Sequence, residues 1–239
     1  MKYSALGIAA ILGITSCGAP GRRAAEAPVI RPSEVADFRL LYGRNCSGCH
    51  GGDGQGGLTV GIGTPVYLAI ANDATIRRVV EAGRPGTAMP AFAQKDGGML
   101  TDAQIDILVR GIRARWARPD DFSKDKPPAY AASMPGNAAR GQNVFATFCS
   151  SCHGPEGHSG RGGPIADSSY LALVSDQHLR TVTITGMPAL GAPDWRGDVP
   201  GKPLSDTDVT DVVAWLAAQR MPLSAKSNRQ NLDQPGGFQ

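Results

Sequence analysis

Six side chains in two short stretches stand out for the chemistry their spacing permits: Cys46, Cys49 and His50 in NCSGCHGG, and Cys149, Cys152 and His153 in FCSSCHGP. Two thiols separated by two residues serve four known chemistries: a disulfide, a structural zinc site, a thioredoxin-like redox pair, or covalent attachment of c-type haem. The histidine decides among them. A thioredoxin-like pair needs a βαβ setting, and a zinc site has no need of histidine at the next position in both copies. Two thiols one helical turn apart reach the vinyl groups on one edge of a haem, and the following imidazole then turns toward the iron. Both motifs are therefore read as anchors, giving two covalently bound haem c groups.

The elements that must position these residues are themselves repeated. An offset of 103 residues carries Cys46, Cys49 and His50 onto Cys149, Cys152 and His153, and YLAI at 67–70 onto YLAL at 170–173. Gly83 falls on Gly186, and Met89-Pro90 is matched to Met187-Pro188 by allowing an insertion over 84–88 in the first copy. A repeat of this length is a duplicated domain, since solenoid units run about 20–50 residues. A helix is expected from Glu34 to Cys46 after an N-cap at Ser33, and another from Ala138 to Cys149 after Asn137. Closing helices follow Thr101 and Ser205, the first with a capping-box signature at Gln104 and an apolar stripe of Ile105, Leu108, Val109, Ile112 and Trp116. Shorter helices fit 72–82 and 176–185, and no pair of alternating strands is evident. The fold class is all-α, with domains at 34–117 and 138–222, a Pro-rich linker at 118–137 and a tail at 223–239 expected to be disordered.

On these motifs the chain resembles the cytochrome c family of small helical haem domains, twice over. The resemblance implies that His50 and His153 are the proximal iron ligands and that a methionine, often in a Met-Pro pair, is the distal one. Met89 in GTAMPAF and Met187 in TGMPAL match that position. It also implies that the first and last helices cross at a glycine: Gly141 with Phe145 and Trp215 fit in the second copy, whereas Phe38, Tyr42 and Gly111 suggest large and small exchanged in the first. It further implies a proline after the motif whose carbonyl accepts the proximal histidine's other N–H, matched for His153 by Pro164; in the first copy Leu58 stands after the matching Gly-Gly and Pro65 comes seven residues further on. The first copy is thus expected to be the less regular of the two. His158 and His178 are read as surface histidines.

Composition sets the remaining bounds. The 239 residues carry a formal charge of +3 with both signs interspersed, so no nucleic-acid footprint is present. A basic run at Arg110, Arg113, Arg115 and Arg118 is read as a solvated helix end. The N-terminus, residues 1–16, has a lysine, an apolar stretch too short for a stable membrane span and small residues before Cys17, resembling a bacterial lipoprotein signal. Cys17 is the expected lipidation site and 17–33 a flexible tether, placing the protein on a bacterial membrane facing the periplasm or cell exterior. With two ligands on each iron, the expected role is electron transfer rather than catalysis, as a carrier between redox complexes or as a cytochrome subunit of one. The alternative from another class is a diheme redox enzyme of the peroxidase or thiosulfate dehydrogenase kind.

Overall fold

The computed structural model of the chain describes residues 30–57, 59–85, 87–122, 125–197 and 199–220. The chain divides into two units, Met1–Arg31 and Pro32–Gln239, and all described helices belong to the second. The signal segment, Cys17 and the tail from 223 lie outside the described residues, as does Leu58.

Ten α-helices occur among the described residues, in two runs of five with one spacing. The first run is α1 (Phe38–Asn45), α2 (Ser47–His50), α3 (Pro65–Ile70), α4 (Asp73–Ala82) and α5 (Asp102–Trp116). The second is α6 (Ala138–Phe148), α7 (Ser150–His153), α8 (Ser168–Leu173), α9 (Asp176–Thr185) and α10 (Asp206–Ala217). Only two isolated bridges, Ala93 with Leu100 and Met187 with Ala192, interrupt this all-helical architecture among the described residues.

The caps show why the helices start where they do. Asn137 accepts from the Arg140 amide to open α6, and Thr101 with Gln104, and Ser205 with Asp208, form complete capping boxes on α5 and α10. The opening helix is shorter than the sequence suggests. It begins at Phe38, where the Asp37 carboxylate accepts from the Leu40 amide at 2.8 Å, while Ser33 lies in a 3-10 turn over Pro32–Glu34. The cause is Gln104, whose side-chain amide donates to the Pro32 and Val35 carbonyls at 2.8 and 3.1 Å and diverts the chain. Helices α3 and α8 hold the YLAI and YLAL repeat; at six residues each they are too short to show a stripe.

Opening and closing helices cross at glycine in both copies, with the sides exchanged. In the first, the Phe38 ring lies where a Cβ on Gly111 would stand, and Phe38, Tyr42 and Trp116 form an aromatic trio with centroids 5.0–5.9 Å apart. In the second, Gly141 lies against the Asp211 carbonyl and the Trp215 Cβ, and Phe145 stacks on Trp215 at 4.4 Å. The expected exchange is therefore present.

Arg113 is not the solvated residue its basic run suggests. Its guanidinium donates to the Leu68 and Ala71 carbonyls and pairs with Asp73, tying α5 to the corner between α3 and α4. Arg220 does the same for the second copy, donating to the Leu171 and Val174 carbonyls at 2.8 and 2.9 Å and pairing with Asp176.

The two copies share a seam. Val66 of α3 joins Phe122 of the connection and Ile184, Trp195, Leu204 and Val209 of the second copy in one buried cluster. The Ala129 and Tyr130 carbonyls accept from the buried Arg180, Gln177 also donates to the Tyr130 carbonyl at 2.7 Å, and the Tyr130 phenol accepts from Arg84 of the first copy.

Candidate functional site

Each cysteine motif is built at a break between two helices. The Cys46 amide still bonds to the Tyr42 carbonyl, closing α1, and the Cys46 carbonyl accepts from the His50 amide at 3.0 Å, opening the single turn α2. Cys149 plays both parts between α6 and α7, with the corresponding bond to His153 also 3.0 Å. One turn between the first and last motif residue is what places both thiols and the imidazole at one helix end.

The thiols are free of disulfide bonds. Burial, and secondarily the neighbouring thiol, pushes Cys46 and Cys149 up to about 12. That is opposite in direction to the lowered thiol of a redox-active pair. No group of three or more His, Cys, Asp or Glu side chains suited to a metal lies among the described residues, so neither motif belongs to a larger zinc-type cluster.

The histidines are oriented identically. His50 Nδ1 lies 2.8 Å from the Val60 carbonyl, and His153 Nδ1 lies 2.8 Å from the Gly163 carbonyl. A carbonyl can only accept, so the proton sits on Nδ1 and the Nε2 lone pair is available to a metal. Val60 and Gly163 are 103 residues apart, the repeat offset, so the orienting group is the same backbone position in both copies. The sequence expectation pointed to Pro164; the acceptor is the residue before it. Because the bond uses backbone, the first copy needs no proline. Burial lowers the pKa of His50, with the Val60 hydrogen bond opposing, which further favours the neutral ring a metal requires.

The methionine loops follow α4 and α9. Gly83 and Gly186 each end a helix at φ 65°, and a Cβ on either would stand 2.5 Å from the Pro90 or Pro193 backbone. From there the two loops keep one register. The Arg84 amide donates to the Met89 carbonyl at 3.0 Å, and the Met187 amide donates to the Ala192 carbonyl at 3.1 Å. The Phe92 amide returns to the Val80 and Glu81 carbonyls, and that of Trp195 to the Ile184 carbonyl. The residues 83–92 and 186–195 thus align without a gap, GRPGTAMPAF on GMPALGAPDW. The expected insertion over 84–88 is absent. Met187 stands in the register of Arg84, and Ala192 in that of Met89, because the prolines at 85 and 188 and at 90 and 193 fix the backbone whichever residue precedes them. Met89, Met187 and Ala192 are all half-buried.

Two further groups escaped the sequence reading. The Trp195 indole Nε1 is a buried donor with no acceptor among the described residues, and no sequence signal marks it. His178 is half-buried rather than on the surface, its pKa lowered by burial and by Arg84, and only the repeat could have hinted that its helix faces the first copy. His158 is exposed, as expected.

Two helical bundles, each with a free CxxC pair and a backbone-oriented histidine, define a protein of two tandem cytochrome c domains. The model of the family described as "Cytochrome C oxidase, cbb3-type, subunit III" matches residues 33–110 and again 136–216, and the chain belongs to that family. Cytochrome c domains of this type carry covalently bound haem c, and the free thiols and available Nε2 atoms fit that group. Among similar proteins is the cytochrome bc1 complex cytochrome c subunit of Mycobacterium tuberculosis, 24% identical over 190 residues, covering 75% of this chain and 66% of that protein. The cytochrome bc1 complex cytochrome c subunit of Corynebacterium diphtheriae is 22% identical over 238 residues, covering 92% of this chain and 80% of that one. The cbb3-type cytochrome c oxidase subunit CcoP of Azospirillum sp. is 26% identical over 200 residues, 76% of this chain and 61% of that protein. The chain therefore spans 66% of the length of the Mycobacterium tuberculosis relative and 61% of that of the Azospirillum one. No helix among the described residues is long and apolar enough to cross a membrane.

Proposed function

We propose that the chain is a diheme cytochrome c that passes single electrons as a carrier between respiratory or photosynthetic redox complexes, or as a cytochrome subunit of one. Cys46 and Cys49 hold the first haem and Cys149 and Cys152 the second, with His50 and His153 as proximal ligands and Met89 as the distal ligand of the first. Met187, the distal partner expected for His153, stands in a different register, so the sixth position of the second haem is a separate question. A haem c so held supplies a reversible one-electron couple. The protein's part is to fix the imidazole by a backbone carbonyl, exclude water around His50 and hold the two domains in one body through the apolar seam. The relatives named as bc1 and cbb3 oxidase subunits support partnership with such complexes. Cys17 carries a lipid that tethers the protein to the outer face of a bacterial membrane, with no nucleic-acid partner.

One observation carries this reading: both histidines donate from Nδ1 to the same backbone position, 2.8 Å away, directly after a free thiol pair. The test is a redox titration of the purified protein with visible spectra and mass analysis. Two covalent haems and at least one methionine-to-iron band are expected; a protein carrying no haem on either motif refutes the proposal.

A further inference from the structure

The two methionine loops have one length, one hydrogen-bond register and prolines at the same two places, yet their methionines occupy opposite ends. In the first copy Met89 directly precedes the second proline; in the second copy that place is Ala192, whose carbonyl accepts from Met187 as that of Met89 accepts from Arg84. What a side chain does at the other end is visible in the first copy. Arg84 runs to the seam, where its guanidinium donates to the Tyr130 phenol. The Gly83 and Gly186 packing against Pro90 and Pro193 pins both loops at φ 65° and leaves no room to slide the register, since a one-residue shift would bring a Cβ into that contact. Met187 faces Ala192 across the loop neck, each amide donating to the other's carbonyl at 3.1 and 3.2 Å, so its side chain starts from the strand opposite the one that carries Met89 in the first copy.

We infer that the second haem has no methionine in the place Met89 occupies for the first, and that its distal position takes small uncharged ligands of the carbon monoxide and nitric oxide class. This rests on the reading that each motif holds a haem. The methyl of Ala192 is too short to coordinate anything and leaves the space of three heavy atoms relative to methionine. A neutral ligand is favoured because Ala192 and its two chain neighbours, Gly191 and Pro193, offer no charged or hydrogen-bonding side chain. The two copies would then divide labour, the first closed for electron transfer and the second able to bind.

Carbon monoxide is the probe, added to the reduced, full-length holoprotein. Half of the haem is expected to shift its absorption on binding and half to keep its methionine-ligated spectrum, and the oxidised protein is expected to show one high-spin haem. Ala192→Met restores the thioether in register and is expected to abolish carbon monoxide binding. Met187→Ala is expected to leave binding unchanged, and it keeps the inference testable should Ala192→Met not fold. Two low-spin haems with no response to carbon monoxide overturn the inference, as does binding that appears only after Met187→Ala, which would make Met187 the ligand. Mass analysis separates this from failure of the underlying reading: a peptide containing Cys149 and Cys152 without haem defeats the haem assignment itself.

Discussion

The two copies agree in backbone and differ in the side chains that the backbone presents. Histidine orientation uses the Val60 carbonyl in one and the Gly163 carbonyl in the other, at the same offset and the same 2.8 Å. The methionine loops share the bond that closes them, from the Arg84 amide in one and the Met187 amide in the other, and the corner between the short helices is tied by Arg113 in one and Arg220 in the other. Against that constancy, the helix crossing exchanges its large and small partners, Phe92 is replaced by Trp195, Met89 by Ala192, and the tie from the closing helix to the chain before the opening one changes from Gln104 to Asp211. What the domain must do to hold a haem is written in main-chain geometry, so side chains were free to diverge in what surrounds it.

The largest expected effect tests whether haem belongs to both cores. Each domain has a small core of its own, and a buried porphyrin would add what the glycine-rich loops lack. His153→Ala or Cys149→Ala is expected to remove one haem and the helical circular dichroism of the second domain while sparing the first. Retention of full helicity after loss of that haem would show that the second core stands alone.

The exchanged crossing gives the next contrast. A methyl on Gly141 meets the Asp211 backbone, which has nowhere to go, and Gly141→Ala is expected to destabilise the second domain by about 1–3 kcal/mol. The three atoms nearest a methyl on Gly111 all belong to the Phe38 ring, a side chain that can turn aside. Gly111→Ala should therefore cost less, and Phe38→Leu should rescue it, as followed by thermal unfolding. Equal effects, or no rescue, would mean that the crossings are not mirror versions of one contact.

How much of this was legible in the sequence depends on which atoms did the work. The paired motifs, the capping residues Asn137, Thr101 and Ser205, and the exchange of Phe38 and Gly111 were readable because each is a side-chain type at a fixed spacing. The group orienting His50 was not, since a main-chain carbonyl carries no residue signature; the search for a proline missed that Val60 could serve as well as Gly163. The same bias set the alignment of the methionine loops. Matching Met-Pro to Met-Pro required an insertion, whereas the backbone aligns Gly83-Arg84-Pro85 with Gly186-Met187-Pro188 without one. The second copy, which looked the more regular, is the one whose methionine stands off the register of Met89. Ser33 failed as a cap for a tertiary reason, the capture of nearby carbonyls by Gln104.

The tie at Asp211 supplies a pH-dependent contrast of intermediate size. Its buried carboxylate accepts from the Asn137 amide at 2.6 Å and from Arg140, and the Arg140 hydrogen bond chiefly holds its pKa below the usual carboxylate range. A depressed folded pKa means that this contribution is complete above the unfolded value, about 3.9, and is lost as pH falls through the folded one. The corresponding tie in the first copy, Gln104, does not titrate. Asp211→Asn is expected to lower the melting temperature of the second domain by several degrees at neutral pH and to flatten its acid limb, with the first domain unchanged. An acid limb of unaltered slope would remove Asp211 as the titrating tie.

The smallest expected effect concerns Trp195, in the place of Phe92. A buried donor left without an acceptor costs about 1–3 kcal/mol, so the Nε1 either burdens the second domain or is satisfied by something other than the described residues. The carboxylates of a bound haem are acceptors of the right kind. If one of them takes this bond, Trp195→Phe leaves it less stabilised, the extra negative charge favours the ferric state, and the midpoint potential of the second haem falls while that of the first does not. If none does, the same substitution removes an unmet donor and replaces it with the side chain the first copy already uses. The potential then stays constant and the melting temperature holds or rises. Measuring both quantities on one variant therefore decides whether the indole is a second-copy device for tuning its haem or a packing residue that tolerates an unpaired proton.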